Sequence, residues 1–464
     1  MTLLFSLSPV FAGGPYQLGS SISGQPPRWP YHNSEQKYVV KWKADGGRLN
    51  SRVSRETAIG WVEQIFDKWK AASLSVEGEN APVATTALKS VPEGDGNVGV
   101  DITKENYEVY VHPEMGSLVH ATIIFDEDGS IITALSNGDE LAKGQIVGYG
   151  SPILDGSAKT VIGGFVVLNG LFVNGQKDLR VHDNEISPED FKAVILHEIG
   201  HMLNLDHSAV NQNTAMVCVF GESCDNPKDI PTMWPELLTG DQYGLHHDDI
   251  VTVSWLYPSK AFNEKFCKAM GSVKNKKKNE PMAGVHVVGE GVGNPAFDAR
   301  GMVSGVLYPE SVRSPNGDYI LAGLSPKKEY EIRYEELPYK EVPSGDGTKT
   351  NKYSIASGFE PLTNPPRGFG GGDIRTIRCE SGGETINLPV AAVVFEEDKP
   401  IGQTSESPGT ESTKGWCALT SRGSSFTLHH HAVEIFGIFG LFVLLLWRFG
   451  AREKSFSRFI RRPR

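Results

Sequence analysis

The chain has 464 residues, which is too long for one ordinary domain and long enough to bury a sizeable core. Its formal net charge of -11 argues against nucleic acid as a main partner, because binding of phosphates depends on clustered Lys and Arg. One short basic cluster, KNKKK at residues 274–278, is expected to be a solvated loop.

An export signal is predicted at the start of the chain. Residues 3–11 (LLFSLSPVF) form a short apolar run, and Val10 and Ala12 place small residues where signal peptidase requires them. No basic residue precedes the run, and a buried strand or a mis-assigned start codon is the alternative interpretation. We expect residues 1–12 to be a signal peptide.

Between residues 13 and 260 the pattern mixes helices with strands and predicts one α+β domain. The apolar residues of SRETAIGWVEQIFDKW (54–69) recur with the helical period, and Ser54 can cap this helix. The segments with β-forming residues are predicted strands: YVVKW (38–42), YEVYV (107–111), ATIIFD (121–126) and KTVIGGFVVLNG (159–170).

A second helix is predicted to begin at Ser187, about ten residues before the first histidine of HEIGHMLNLDHS. Ser187 can cap it, Pro188 suits the first helical position, and Asp190 completes an arrangement that resembles a capping box. The helix therefore has a well-defined start.

The same helix carries a predicted zinc site. His197 and His201 are four residues apart, so that both imidazoles project from one face and can hold one zinc ion. Glu198 is expected to act as general base on a water whose pKa the zinc lowers to about 7. His207 supplies a third ligand if the chain turns back at a left-handed residue, for which Asn204 is suitable. A helix with purely structural histidines is the alternative.

HEIGHMLNLDHS (197–208) resembles the zinc signature of the metzincins, and Ser208 after the third histidine is similar to the matrixin branch of that family. Asn204 stands where the family normally has Gly. Because Asn tolerates the same backbone geometry, we expect a strained but functional turn.

The resemblance covers roughly residues 27–258. It implies a zincin-like fold, which is a mixed twisted sheet with two long helices and a C-terminal helix. It also implies that the strand at FVVLNG (165–170) borders the cleft and pairs with extended substrate. Asp126 and Asp128 in the segment FDEDGS could bind calcium, but we favour a polar hairpin turn for this segment.

Metzincins have a methionine turn beneath the zinc, and the chain offers two candidates. Met216 in NTAMV follows His207 at a familiar distance. Met233 in PTMWP resembles the matrixin turn better, and LHHDDIVTVSWLYP (245–258) follows it as the last helix of the family should. We favour Met233 as the residue of the Met-turn.

From residue 261 to 395 the helical period disappears, and short β runs alternate with Gly, Pro and Asn turns. This pattern predicts a small all-β sandwich. The strand candidates are GVHVV (284–288), DYILAGL (318–324), YEIRY (330–334) and ETINLPVAAVVF (384–395).

The predicted sandwich resembles the carboxypeptidase-regulatory-like or transthyretin-like modules. Three motifs carry the resemblance: PMAGVHV (281–287), NGDYILAGLSPKKEYEI (316–332) and GGETINL (382–388). Residues 341–373, rich in Gly and Pro, have no place in this pattern and are predicted to be a long loop.

The C-terminal part is predicted to be a membrane anchor. Residues 396–431 contain a tract of Ser, Thr, Glu and Pro, which is typical of a disordered stalk. Residues 432–448 are apolar enough for a short transmembrane helix, and seven basic residues at 448–464 place the tail, 449–464, in the cytoplasm. A buried C-terminal helix, the alternative, does not explain these basic residues.

Five cysteines are present, and all of them follow residue 217. The simplest pairing joins Cys218 with Cys224 and Cys267 with Cys379, although four cysteines allow three connectivities. Cys417 is left over, between the stalk and an ending that resembles bacterial sorting signals of the Gly-Cys type. A simple single-pass anchor with a spare thiol is the alternative.

The leading interpretation is an exported, membrane-tethered zinc endopeptidase that hydrolyses peptide bonds in extracellular or envelope proteins. Zn²⁺ is the expected cofactor, and a protein or peptide is the expected substrate. The alternative from another class is a surface adhesion or binding protein with a vestigial protease domain. The intact set of His197, Glu198, His201 and His207 weighs against that alternative.

Overall fold

The computed structural model describes residues 26–112, 120–155, 160–175, 185–220, 226–238, 240–305, 317–336, 339–343, 349–353, 369–370, 374–395 and 420–421. All of them belong to one compact unit that ends at Ser421. Helices and several β-sheets both occur in this unit, so the predicted α+β class is confirmed. The predicted signal peptide, the membrane segment, the basic tail and the stalk apart from residues 420–421 lie outside the described residues.

The described helices include two long ones, α1 and α4. They are α1 (Arg55–Lys70), α2 (Glu108–Val111), α3 (Ser130–Leu135), α4 (Pro188–Met202), α5 (Gln212–Phe220), α6 (His247–Leu256) and α7 (Lys260–Lys265). Four 3-10 turns join them: Ala142–Gly144, Gly170–Val173, Pro227–Asp229 and Gly240–Tyr243.

Both long helices begin where the sequence predicts. The Ser54 side chain accepts a hydrogen bond from the backbone N–H of Thr57 at the start of α1. At α4, the hydroxyl of Ser187 accepts from the N–H of Asp190 at 3.1 Å, and the Asp190 carboxylate accepts from the N–H of Ser187. This reciprocal pair satisfies two backbone donors that the first helical turn leaves without partners.

The strands of the first half are β1 (Tyr31–His32), β2 (Lys37–Ala44), β3 (Ser73–Leu74), β4 (Val83–Ala84), β5 (Leu88–Asn97), β6 (Ala121–Asp126), β7 (Gly148–Leu154), β8 (Val161–Asn169) and β9 (Glu236–Leu237). Six of these strands form a mixed sheet in the order β1-β2-β6-β8-β7, and β5 also pairs with β2. The pairs β2–β5, β2–β6 and β6–β8 are parallel, whereas β7 runs antiparallel to β8.

This order corrects the sequence-based placement of the cleft strand. The segment FVVLNG (165–170) falls largely in β8, which pairs with β6 on one side and with β7 on the other. Its backbone groups are therefore used within the sheet, and β8 cannot accept an extended substrate. Strand β7 is the edge of the described sheet on this side, and it carries the outward-facing backbone groups instead.

The predicted strand YEVYV (107–111) is wrong, because most of it forms helix α2. Tyr107 and Val111 are buried, while Val109 between them is 62% exposed. A strand would place all three side chains on one face, whereas a helical turn separates Val109 from the other two. Packing of Tyr107 and Val111 into the core therefore overrides the β propensity of this segment.

Helix α4 is held against α1 by buried aromatic side chains. The indole N–H of Trp69, at the end of α1, donates to the carbonyl oxygen of Leu196 in α4 at 3.1 Å. Trp42 of β2 stacks on Phe66 of α1 with ring centroids 5.6 Å apart. The sheet, α1 and α4 consequently share one hydrophobic core, which fixes the position of the helix that carries the histidines.

The strands of the second half are β10 (Cys267–Asn275), β11 (His286–Gly291), β12 (Ala299–Val303), β13 (Asp318–Leu324), β14 (Glu329–Glu335), β15 (Tyr339–Pro343), β16 (Lys349–Tyr353), β17 (Phe369–Gly370), β18 (Arg375–Arg378), β19 (Thr385–Asn387) and β20 (Ala391–Phe395). One sheet has the order β13-β10-β20-β17, with β19 also on β10, and the other has the order β12-β11-β14-β18. These two sheets, here called the β-sandwich, share one buried cluster of apolar residues. A last short strand, β21 (Thr420–Ser421), pairs with β9.

The predicted loop at residues 341–373 is wrong in part. Strands β15 and β16 form an antiparallel hairpin with Val342 opposite Thr350, and β17 pairs with β20. The flanking segments YKEV and KTNKY contain the Tyr, Val and Thr that suit a strand, and the Gly residues between them suit a turn. The high Gly and Pro content of the whole segment masked these short runs.

The predicted pairing of Cys267 with Cys379 is confirmed. It joins the start of β10 to the residue that follows β18, and so links the two sheets of the second half. Cys218 is also disulfide-bonded, while its predicted partner Cys224 lies outside the described residues.

Among the helices that the structure describes, none has both the length and the apolar character needed to cross a bilayer.

We expect replacement of both Cys267 and Cys379 by Ala to lower the free energy of unfolding by about 2–5 kcal/mol. The bridge joins residues separated by 112 positions, so its loss releases a long loop in the unfolded chain. Urea denaturation of the full chain measures the change. An unchanged denaturation midpoint would contradict a stabilising role of this bridge.

Candidate metal centre

Three imidazole rings meet at the C-terminal end of α4. His197 and His201 lie on the helix, and His207 follows it; they are 0%, 0% and 6% exposed. Their ring centroids are separated by 4.6 Å, 5.2 Å and 4.8 Å, and one nitrogen of each lies within 4.8 Å of the others. These three histidines form a buried group that could hold a metal ion. It is the one such group found in the described residues.

Two backbone carbonyl groups orient the helical histidines. Nδ1 of His197 lies 2.8 Å from the carbonyl oxygen of Thr232, and Nδ1 of His201 lies 2.8 Å from that of Leu205. Because a carbonyl oxygen only accepts, each Nδ1 carries the proton and each Nε2 has a lone pair. The two Nε2 atoms face each other at 2.9 Å, which is an arrangement that a cation between the rings would stabilise.

Burial keeps the imidazoles of His197 and His201 neutral, which is the form that binds a metal ion. It lowers the pKa of His197 to about 4, although the contact with Thr232 opposes the shift. Burial also holds the pKa of His201 well below its usual value, with the neighbouring His197 and His207 as further causes. Both imidazoles are therefore neutral at pH 7, as metal ligation requires.

The left-handed turn predicted at Asn204 is confirmed, with a φ of 71°. The N–H of Leu205 donates to the carbonyl of Gly200 at 2.9 Å, and the N–H of Asn204 donates to that of His201 at 2.8 Å. These two bonds define a Schellman motif, which ends α4 and turns the chain toward His207. The Asn204 side chain also donates to the carbonyl oxygen of Pro27 at 2.8 Å, a bond that Gly could not make.

Met233 lies directly under the end of α4. It is 1% exposed, and its sulfur would be 2.5 Å from a Cβ placed on Gly200. Asp249 holds this segment, because its carboxylate accepts from the N–H groups of Thr232 at 2.8 Å and Met233 at 3.0 Å. The other candidate, Met216, falls within α5.

Glu198 is buried between α4 and the edge strand β7. A Cβ on Gly148 would lie 2.8 Å from Cγ of Glu198, and one on Gly150 would overlap its carbonyl oxygen. Any larger residue at position 150 would therefore push the strand away from the helix. Oε1 of Glu198 would lie 3.3 Å from the same Cβ on Gly148, so the carboxylate lies beside the edge strand of the sheet.

Asp126 and Asp128 lie at the end of β6 and in the turn that follows, and they are not part of the histidine group. Asp126 is buried and accepts from the N–H of Ile132 at 2.8 Å, and Asp128 accepts from the N–H of Ser130 at 3.0 Å. These bonds form a polar turn, but the turn leads into α3 and not into a second strand, so the predicted hairpin is wrong. Calcium binding by these two residues stays a prediction.

Sequence reasoning did not identify Thr232, Leu205 and Asp249. Two of them act through backbone carbonyl groups, which any residue type can supply, so the sequence carries no signal for them. Asp249 looks like the ordinary acidic residue of a first helical turn, and it does accept from the N–H of His246 at 2.9 Å as a capping residue would.

No family model matches the chain, and no curated protein matches it either. Among solved structures, the shaft pilin SpaA of Lactobacillus rhamnosus GG is 8% identical with a TM-score of 0.16, over 30% of this chain and 48% of that one. A 9R-lipoxygenase from Cyanothece is 13% identical with a TM-score of 0.18, over 32% and 21% of the chains. The chain thus spans about half of the pilin's length. Likeness at this level assigns neither a fold nor a function.

We expect Asn204→Gly to lower the free energy of unfolding by about 1–3 kcal/mol, because the buried carbonyl of Pro27 loses its donor. Asn204→Ala should cost about 1 kcal/mol more, since Ala disfavours the left-handed conformation that Gly adopts freely. Chemical denaturation of both variants measures the difference. Equal stabilities of the Gly and Ala variants would contradict the strain at this position.

The two methionines can be separated by thermal unfolding. Met233→Ser should lower the melting temperature by several degrees, because the side chain fills a fully buried position under Gly200. Met216→Ser is the matched control and should have the smaller effect. The reverse order would assign the Met-turn to Met216.

Proposed function

We propose that the protein is a zinc-dependent endopeptidase of the matrixin-like metzincin type. The observation that carries the proposal is the convergence of three buried imidazoles, two of them with Nε2 facing inward, at the end of the helix that also carries Glu198. Support for the zincin-like fold comes from the mixed sheet, the two long helices α1 and α4, and the helix α6 that follows Met233.

His197, His201 and His207 would hold the zinc. Three histidine ligands are typical of catalytic zinc sites, whereas structural zinc sites use four protein ligands. The residues that the structure describes offer no fourth ligand to this group. When bound there, zinc would lower the pKa of a water to about 7 and polarise a substrate carbonyl group. The hydrogen bonds from Nδ1 of His197 and His201 leave Nε2 of each ring available to bind the zinc.

Glu198 would act as the general base and later as the general acid. Glu198 lies on α4 between His197 and His201, so its carboxylate would lie near a metal held by these rings without being one of its ligands. The carboxylate would take a proton from the attacking water and return it to the leaving amine. Strand β7, which approaches at Gly148 and Gly150, would fix the side chain in this position.

The substrate would be an extended protein or peptide segment. Strand β7 forms the edge of the described sheet next to Glu198, and an edge strand can add one more strand through main-chain hydrogen bonds. Pro152 lacks an N–H, so the pairing would be made mainly by the part of β7 nearer to Glu198. Recognition of this kind is largely independent of the substrate's sequence.

An exported location is part of the proposal. The Cys267–Cys379 bridge and the bridge that contains Cys218 are what an oxidising compartment allows, and disulfides are rare in the cytosol. The tether at residues 432–448 rests on the sequence alone.

We expect Glu198→Gln to retain zinc while peptide hydrolysis falls at least a hundredfold, because the change removes the base but no ligand. The full chain is assayed against a peptide library, with metal content measured on the same samples. His207→Ala is the matched control and should lose zinc affinity together with activity.

Undiminished hydrolysis by the Glu198→Gln chain would overturn the mechanism. Absence of hydrolysis by the zinc-loaded wild-type chain, over the whole library, would instead favour the binding protein with a vestigial protease domain.

A further inference from the structure

The two halves of the compact unit meet at the start of α6. Strand β12 lies at the edge of its described sheet and faces α6 and the segment that follows His207. Nδ1 of His247 lies 2.9 Å from the carboxylate of Asp298, and Nε2 of His246 lies 2.9 Å from the carbonyl oxygen of Ala296. These polar contacts fix the position of α6 relative to the segment before β12.

A buried carboxylate lies at the centre of this interface. Asp248 is 2% exposed, and its two oxygens have different partners. Oδ2 accepts from the hydroxyl of Ser208 at 2.6 Å, while Oδ1 accepts from the backbone N–H of Gly301 in β12 at 2.7 Å. One side chain therefore connects the residue next to His207 with a strand of the β-sandwich.

The close contact of β12 with Asp248 requires glycine at position 301. A Cβ at this position would overlap Nε2 of His286, which is fully buried, and would lie 3.0 Å from Cγ2 of Val210. Val210 is only three residues after His207. A side chain at position 301 would thus press on His286 within the sandwich and on Val210 in the segment that carries the third histidine.

Ser208 connects Asp248 to the histidine group. Its backbone N–H donates to the carbonyl oxygen of Met233 at 2.8 Å, and its hydroxyl accepts from the N–H of Val210 at 3.2 Å. His207 precedes Ser208 directly, so the position of its ring depends on these bonds. The backbone of His207 lies outside α4, whereas His197 and His201 are held by that helix.

We propose that the β-sandwich positions the third metal ligand, through the path from the Gly301 N–H to Asp248, then to Ser208 and the adjacent His207. Asp248 is a positioning residue in this path. The inference rests on the proposed metal centre but not on peptide hydrolysis. It makes the sandwich part of the metal-binding unit rather than a separate module.

The test measures zinc affinity of full-length variants by competition with a chelator, and the absorption spectrum of the same chains loaded with Co²⁺. Asp248→Ala removes both acceptors and should weaken zinc binding roughly 10- to 100-fold, which is the usual effect of losing a residue that supports a ligand. Asp248→Asn should recover most of the affinity. Its oxygen can accept from Gly301, and its amide can donate to the Ser208 hydroxyl.

A change within the sandwich gives the sharper test. Gly301→Ala leaves every residue of α4, α6 and the histidine segment intact, yet it should weaken zinc binding to a similar extent and alter the Co²⁺ spectrum. Gly289→Ala in β11 is the matched control, because its Cβ would be 3.3 Å from the nearest atom, in Leu321 of the sandwich. It should leave zinc affinity and spectrum unchanged.

Wild-type affinity and spectrum in folded Gly301→Ala and Asp248→Ala chains would overturn the inference. An equal loss in Gly289→Ala would also overturn it, since the sandwich would then act only through general stability. If the wild-type chain bound zinc and the variants weakened it but no peptide were cleaved, the inference would stand and the proposed protease function would fail. A wild-type chain without zinc affinity would overturn both.

Discussion

The candidate metal centre depends on two hydrogen bonds from imidazole to backbone. The carbonyl groups of Thr232 and Leu205 each receive an Nδ1 proton, which leaves Nε2 of His197 and His201 directed inward as lone-pair donors. Neither ring could rotate or change tautomer without leaving a buried polar group unsatisfied. The segments around the histidines hold these two carbonyl groups in place.

Each carbonyl belongs to a different supporting segment. Leu205 is placed by the Schellman motif at Asn204, whose left-handed backbone ends α4 and whose amide binds the N-terminal segment at Pro27. Thr232 is placed by Asp249, which accepts from the backbone of the methionine segment. The end of one helix and the start of another therefore fix the same pair of rings.

The β-sandwich belongs to this arrangement more closely than its sequence suggests. Its strands occupy residues 267–395, beyond the predicted boundary at residue 260, and they form sheets of their own. Yet Ala209, Ile230 and Trp234 from the neighbourhood of the histidines lie in the same apolar cluster as the sandwich core. Apolar packing and the bonds of Asp248 act together at this contact, so displacement of the sandwich would expose both apolar surface and a buried carboxylate.

The sequence by itself determined the features that depend on short-range geometry. The cap at Ser187, the four-residue spacing of His197 and His201 and the left-handed turn at Asn204 all follow from the helical period and from local backbone preferences. Most strands also followed from their residue types.

These rules failed where distant contacts compete with local preference, as at residues 107–111, which form a helix because Tyr107 and Val111 are buried on one side. The edge position of β7, the roles of two carbonyl groups and the bond between Asp248 and Gly301 were decided only by the tertiary structure. Strand order and backbone acceptors leave no trace in residue type, and residues 248 and 301 become neighbours only when both halves of the chain have folded.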